Sequence, residues 1–202
     1  PNQSVFTYDV LSKRRFKMIE LYNAIKAASY TMAKKDVRYF LNGIHIVKKD
    51  GIVTVESSNG YTAFQCKNVN PESVEDDELD VIISASDIPT ILKIGKILTI
   101  GNGMINGIFK YNTEDGKFPD LDRAIPVSGK YPLPFTTNGN MNFALVEQIS
   151  KSIKAITGSS KDAGGNLEFI PKDENGAEIS SYRITCRIDG PVWVLMPMRG
   201  LS

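Results

Sequence analysis

Two dipeptides, Asp50-Gly51 and Asn59-Gly60, divide residues 38–67 into three runs of alternating apolar and polar residues: RYFLNGIHIVKK, IVTVESS and YTAFQCK. A tight hairpin turn that matches the right-handed twist of its strands needs residues that tolerate positive φ, which Asp-Gly and Asn-Gly do. The chain is therefore expected to form three antiparallel strands here. Upstream, Met18, Leu21, Ile25, Ala28 and Met32 recur at helical spacing, which predicts a helix from about Leu11 to Ala33. Residues 1–67 thus read as a strand, a long helix and three strands.

The same order then begins again. The acidic stretch NPESVEDDELD, Asn70 to Asp80, has the composition of a solvated loop. After it VIISAS reads as a strand. Asp87 is placed to cap a helix that takes Pro89 in its first turn and runs through Ile91, Leu92 and Ile94. KILTIGNG and MINGIFKYN follow as a hairpin, with Gly101, Gly103 and Gly107 as turn residues, and GKFPDLDRAIP leads out. Gly129 to Asn140 is rich in Gly, Pro, Asn and Thr and reads as a connector. A third pass has the helix ALVEQISKSIKAIT, with Val146, Ile149, Ile153 and Ile156 on one face, then strands NLEFIPKD, ISSYRITCRID and VWVLMPM. Three helix-then-hairpin units predict an α+β fold of antiparallel sheets with helices on one side. The expected division is a domain over 1–126 and a smaller one over 127–202.

The 202 residues carry a formal net charge of +1, so contact with nucleic acid must come from where basic residues lie rather than from their excess. Lys13, Arg14, Arg15 and Lys17 fall on or before the first helix, Lys93 and Lys96 on or after the second, and Lys151 and Lys154 on the third. Singly, each is an ordinary solvated lysine or arginine. Repeated on three helices, they predict a shared basic surface that contacts phosphates without reading bases. The two cysteines, Cys66 and Cys186, and the single histidine, His45, cannot supply a zinc-ligand set, and a reduced, structural role is expected for both thiols. No apolar run approaches the roughly 20 residues of a membrane helix, and the first residues lack signal-peptide character, so a cytoplasmic location without membrane contact is expected.

No catalytic constellation emerges, and no metal or cofactor is expected. Asp120 and Asp122, with Asp115 nearby, have the oxygen chemistry of a magnesium site, but Gly116 and Pro119 mark the segment as a polar connector. His45 lies in an alternating strand with no identifiable acid or nucleophile partner and reads as structural. The apolar stretch VWVLMPMRG raises a different question. Pro197 cannot extend a central ladder, leaving Met196 and Met198 either to fill core gaps or to line a groove for a partner's apolar side chains.

KKDVRYFLNGI, Lys34 to Ile44, resembles the start of the middle domain of the bacterial DNA polymerase III beta sliding clamp family, and VWVLMPMR resembles that family's terminal strand. Between them SSNGYTAF stands where the family has a TDGHRLA-like turn, and GKFPDLDRAIP resembles the segment closing the middle domain. The resemblance implies a DNA-clamp-like fold with helices lining a DNA channel and sheets outside. It implies a non-enzymatic processivity factor that encircles or embraces double-stranded DNA and tethers a DNA polymerase or other clamp-binding proteins through short apolar motifs. By position, the peptide pocket would take Leu41, Ser58, Gly60, Tyr61, Thr62 and Ala63, with Val194, Leu195, Met196, Pro197, Met198 and Arg199 as the other wall. The turn departs from the family in having Tyr61-Thr62-Ala63 for His-Arg-Leu, so motif preference is expected to differ.

The resemblance covers the middle domain and the second half of the last, three half-units where a complete clamp chain has six. A ring of twelve half-units needs four such chains, whereas a reduced domain that fills a whole position gives a trimer. A homo-oligomeric ring, with a clamp loader as a further partner and a phage or mobile element as a natural setting, is the leading expectation. The second is a non-encircling adaptor, decoy or transcription coactivator that binds the same motifs. A nuclease using Asp120 and Asp122 is a distant third.

Overall fold

The computed structural model describes residues 18–125, 142–158, 165–170, 181–186 and 188–196. The Asp50-Gly51 turn has the positive φ its letters require, 51° and 75°, and joins β1 (Gly43–Lys49) to β2 (Ile52–Ser58). β3 (Thr62–Val69) pairs with β2, and β4 (Leu79–Ser84) pairs with the other edge of β1, all antiparallel. Two Asn-Gly turns, Asn102-Gly103 and Asn106-Gly107, again at positive φ, fold β5 (Ile100–Gly101), β6 (Met104–Ile105) and β7 (Phe109–Lys110) into a small second sheet. Late in the chain β8 (Gly165–Ile170), β9 (Ser181–Cys186) and β10 (Val192–Leu195) form a further antiparallel set. β10 then pairs with β3, so the two parts share one seven-stranded sheet in the order β4-β1-β2-β3-β10-β9-β8.

Strand alternation gives this sheet two distinct faces. One face carries Ile44, Ile46, Val55, Phe64, Trp193 and Leu195 against three helices, α1 (Leu21–Ala28), α2 (Ile88–Ile94) and α4 (Phe143–Thr157). The opposite face carries a smaller cluster in which Leu41 and Ile82 pack with Phe118 and with Leu121 of the short helix α3 (Leu121–Ala124). The α+β class is therefore as expected, with the three longer helices on one side and the short α3 on the other.

Alanines 24, 27 and 28 let α1 lie close against α4. The carboxyl end of α1 is buried, and its last carbonyls accept side-chain hydroxyls in addition to the backbone N–H groups of Tyr30, Thr31 and Met32. Ser152 of α4 donates to Ala27 O at 2.8 Å, and Ser57 of β2 donates to Ala28 O at 2.9 Å. Trp193 of β10 donates its indole N–H to Ser152 Oγ at 2.7 Å and packs its ring 5.3 Å from Phe64. The indole, one serine and one carbonyl thus tie β10, α4 and α1 together.

Several expectations need correction. Of the Asn59-Gly60 pair only Gly60 takes positive φ, and β2 and β3 are joined by the three residues 59–61; Gly101 lies in β5 rather than in a turn. The first helix does not run to Ala33 or include residues 18–20. Ile19 is extended, exchanging backbone hydrogen bonds with Asn68 and Asn70, and Met18 is exposed rather than on an inward face. At the other end Ser29 and Thr31 hydroxyls bond Lys26 O and Ala28 O, a local competition that ends helices. The run before β1 is not all strand, since Tyr39–Leu41 form a 3-10 turn. Asp87 stands at the N-cap of α2, yet its carboxylate makes no cap bond and instead accepts from the backbone and side-chain amides of Asn112.

Thr62 Oγ1 is buried with no hydrogen-bond partner among the described residues. Thr62→Val is expected to leave stability unchanged or raise it by about 1 kcal/mol, because it removes an unpaired hydroxyl at constant shape. Ser152→Ala, which orphans the Trp193 indole, is expected to cost about 1–3 kcal/mol. Urea unfolding followed through the fluorescence of the single tryptophan measures both.

Candidate peptide and nucleic-acid interfaces

The register between β3 and β10 pairs Val194 with Ala63 and Leu195 with Thr62, and Met196 N–H continues the ladder to Tyr61 O at 2.9 Å. The two proposed pocket walls, far apart in the chain, are therefore neighbouring strands. By alternation Ala63 and Val194 share the face away from the helices, where Ala63 packs onto the cluster containing Leu41. Leu195 and Thr62 point the other way and are buried. Tyr61 and Met196 are exposed at the end of the ladder, 65% and 36% accessible, and supply open apolar surface there. Pro197, Met198 and Arg199 lie outside the described residues.

The turn between β2 and β3 is fixed by Asn59. Its side-chain oxygen accepts from the backbone N–H of Tyr61 and Thr62, while Ser58 Oγ bonds Thr62 O and receives Gly60 N–H. Gly60 has φ of 84°, and a Cβ there would stand 2.6 Å from an Arg38 guanidinium nitrogen. Arg38, held in turn by Asp36, lies against this turn, and its hydrogen bonds bring the half-buried Asp36 carboxyl down to a pKa of about 2. A positive charge therefore stands beside Tyr61-Thr62-Ala63, although the turn itself carries none. Arg38 sits within the sequence stretch that carries the resemblance, but its spacing gives no sign that it packs over Gly60.

On the helix side, Lys93, Lys96, Lys151 and Lys154 are all exposed. α1 packs against both α2 and α4, so these lysines flank one helix, and α1 adds Lys26, whose ammonium lies 5.7 Å from the Tyr22 ring centre. Lys151 is paired with Glu147 at 2.8 Å one turn earlier, which raises the lysine pKa and lowers that of the carboxyl. Lys13, Arg14, Arg15 and Lys17 lie outside the described residues.

His45 departs from its expected isolation. Its Nδ1 is 2.9 Å from Glu56 and its Nε2 is 2.8 Å from Asp80, with the ring stacked on Phe118. Both partners are carboxylates, and no nucleophile among the described residues is bonded to the ring. Asp122 accepts from Gln65 and Lys67, which hold its pKa down, the lysine most, and Asp120 caps α3 and pairs with Arg123. These aspartates are engaged in holding the segment, as expected of a connector. A cleft of about 480 Å³ opens over this region between Val47, Ile52, Lys67 and Pro119, separate from the proposed peptide pocket. The thiols of Cys66 and Cys186 are both free and buried, and burial pushes that of Cys66 up to about 12. Among the described residues, no helix is long and apolar enough to cross a membrane.

No protein-family model matches the chain. A beta sliding clamp from Pseudomonas putida is 30% identical over 124 residues, covering 54% of this chain and 33% of the relative. The beta sliding clamp of Haemophilus influenzae is 23% identical over 193 residues, covering 84% of this chain and 52% of the relative. The chain thus spans between a third and about half of the length of these curated relatives. Among solved structures, the DNA polymerase III subunit beta from Pseudomonas aeruginosa matches with a TM-score of 0.58 at 19% identity, over 89% of this chain and 64% of that one. A ligand-bound sliding clamp from the same organism gives 0.57. In sequence the chain is similar to bacterial beta sliding clamps, and its fold is the fold of those clamps.

Proposed function

We propose that the protein is a sliding-clamp-like processivity factor, holding duplex DNA against its helices and tethering a polymerase or other partner by a short apolar peptide. The observation that supports this reading is one sheet with two chemically different sides. Its helix-covered face presents Lys93, Lys96, Lys151 and Lys154, and its other face joins Leu41 and Ala63 to Val194 and Met196 through the β3–β10 ladder. Diffuse lysines contact phosphates and allow sliding, whereas an apolar pocket with polarizable methionine adapts to an inserted leucine or phenylalanine. Tethering raises the polymerase's effective concentration at the primer end without a tight grip on DNA. Two domains, 1–126 and 127–202, and assembly of several chains into a ring complete the reading.

Replacing Met196 and Met198 together by Ala is expected to weaken binding of a labelled apolar peptide by at least about tenfold, since it removes roughly 1.5 kcal/mol or more of apolar burial. Gly60→Ala, which meets Arg38 and a positive φ, is expected to act in the same direction through the turn. Fluorescence anisotropy reads both; intact affinity in the methionine variant removes the pocket assignment. Lys93→Glu and Lys154→Glu should leave peptide binding unchanged and lower the salt slope of DNA binding by about 0.9 for each phosphate no longer neutralised. Glu147→Gln, which frees Lys151, should strengthen DNA binding.

Solution mass and a topological assay test the ring. A trimer or tetramer retained on nicked circular DNA and released on linearisation is the expected result. A strict monomer at high concentration, or retention on unblocked linear DNA, excludes encirclement and leaves the non-encircling adaptor.

A further inference from the structure

On the sheet face away from α1, α2 and α4, five polar side chains join end to end: Asp80, His45, Glu56, Gln65 and Asp122. His45 bonds Asp80 and Glu56 through its two ring nitrogens at 2.8 and 2.9 Å. Gln65 Nε2 then donates to Glu56 at 2.7 Å and to Asp122 at 2.9 Å. A neutral imidazole has a single N–H, so facing two carboxylates it leaves one nitrogen lone pair against an oxygen; an imidazolium donates to both. Glu56 is nearly buried, with a side chain 10% accessible, and a buried carboxylate needs a charged or strong donor. The His45 ring also stacks on Phe118, 4.8 Å between centres and 22° from parallel. Phe118 and Leu121 in turn form the cluster that includes Leu41 and supports Ala63.

We propose that His45 is a positioning residue: as an imidazolium it clasps β1, β2 and β4 and seats Phe118, thereby holding residues 117–125 beneath the peptide pocket. The link to the pocket rests on the peptide-binding reading above, while the clasp itself does not. Desolvation works against charge on His45, but the bonds from Glu56 and Asp80 outweigh it and its pKa is raised. Further charges line the cleft around it: Lys49, Asp50, Lys67, Lys117, Asp120 and Asp122. They carry both signs, and Asp122 is already paired with Lys67, which leaves Glu56 and Asp80 in control of the ring. Because the folded pKa is raised, the clasp is fully present below the ordinary histidine pKa and is lost as pH rises through the folded value.

The single histidine makes the test unambiguous. Because the folded pKa is raised, nitrogen NMR of the imidazole is expected to show both ring nitrogens still mostly protonated at the ordinary histidine pKa of about 6.5. Amide protection of Leu121 to Ile125 should fall as pH rises through the folded histidine pKa, by at most about tenfold per pH unit, and His45→Gln should remove that pH dependence. A ring already mostly at one N–H at about pH 6.5, or the same pH slope in His45→Gln, overturns the clasp. Should that variant not fold, Glu56→Gln serves instead, since it must move the ring's titration to lower pH; an unmoved titration overturns the clasp equally. Affinity for a fluorescein-labelled pentapeptide containing leucine and phenylalanine should weaken over the same pH range in the natural protein alone. An affinity that ignores pH while the clasp signals are intact overturns the positioning role. Failure to bind the peptide at any pH sinks the pocket reading instead, and the ring and exchange signals still decide the clasp.

Discussion

The carboxyl end of α1 is buried, and side chains from two other elements converge on carbonyls that already accept the backbone N–H groups of Tyr30, Thr31 and Met32. Ala27 O and Ala28 O receive hydroxyls from Ser152 and Ser57, and Ser152 is itself bonded by the Trp193 indole. A helix terminus buried without partners would be strongly unfavourable. The Ser152 hydroxyl reaches Ala27 O because α4 lies on α1, and the Trp193 indole reaches Ser152 because β10 packs on α4. The same indole rests on Phe64, with β10 alongside β3. With β10 in that place come the continuous seven-stranded sheet, the Val194–Ala63 pairing and the adjacency of the two stretches that form the candidate pocket.

The sheet separates the two chemistries proposed for the protein. Lysine ammonium groups and an apolar peptide groove on a common surface would compete for the same solvent environment, since a charge close to the groove resists desolvation when a ligand enters. Here a layer of strands lies between them. Charge still reaches the proposed groove's own side: Arg183 stands opposite Val194, and Arg38, paired with Asp36, packs over Gly60 at the edge of the turn.

Much of the fold was legible because it is written in local chemistry. Asp50-Gly51, Asn102-Gly103 and Asn106-Gly107 take the positive φ that only such pairs adopt readily, and the period of α4 was visible in Ile149, Ile153 and Ile156. What could not be read was long-range. Nothing near Ile19 says that its backbone will be taken by Asn68 and Asn70, and nothing near Asp87 says that Asn112 will displace its capping role. His45 shows the same limit at the site: Glu56 lies on the neighbouring strand, but Asp80 and Phe118 are 35 and 73 positions away, so spacing alone made the ring look solitary. The adjacency of β3 and β10 was legible for a different reason, since it rested on similarity of whole stretches rather than on residue spacing.

The union of β3 with β10 also has a history in time. Their paired residues are separated by well over a hundred positions, as in Phe64 with Trp193. A ribosome adding about 5–20 residues per second makes the later strand on the order of ten seconds after the earlier one. Throughout that interval β1 to β4 can zip together, while the far edge of β3 exposes unpaired amides and Phe64 has no indole to rest against. A newly made chain therefore carries a sticky, half-finished sheet during the same seconds in which other copies emerge nearby. That edge is closed only once β10 has been made.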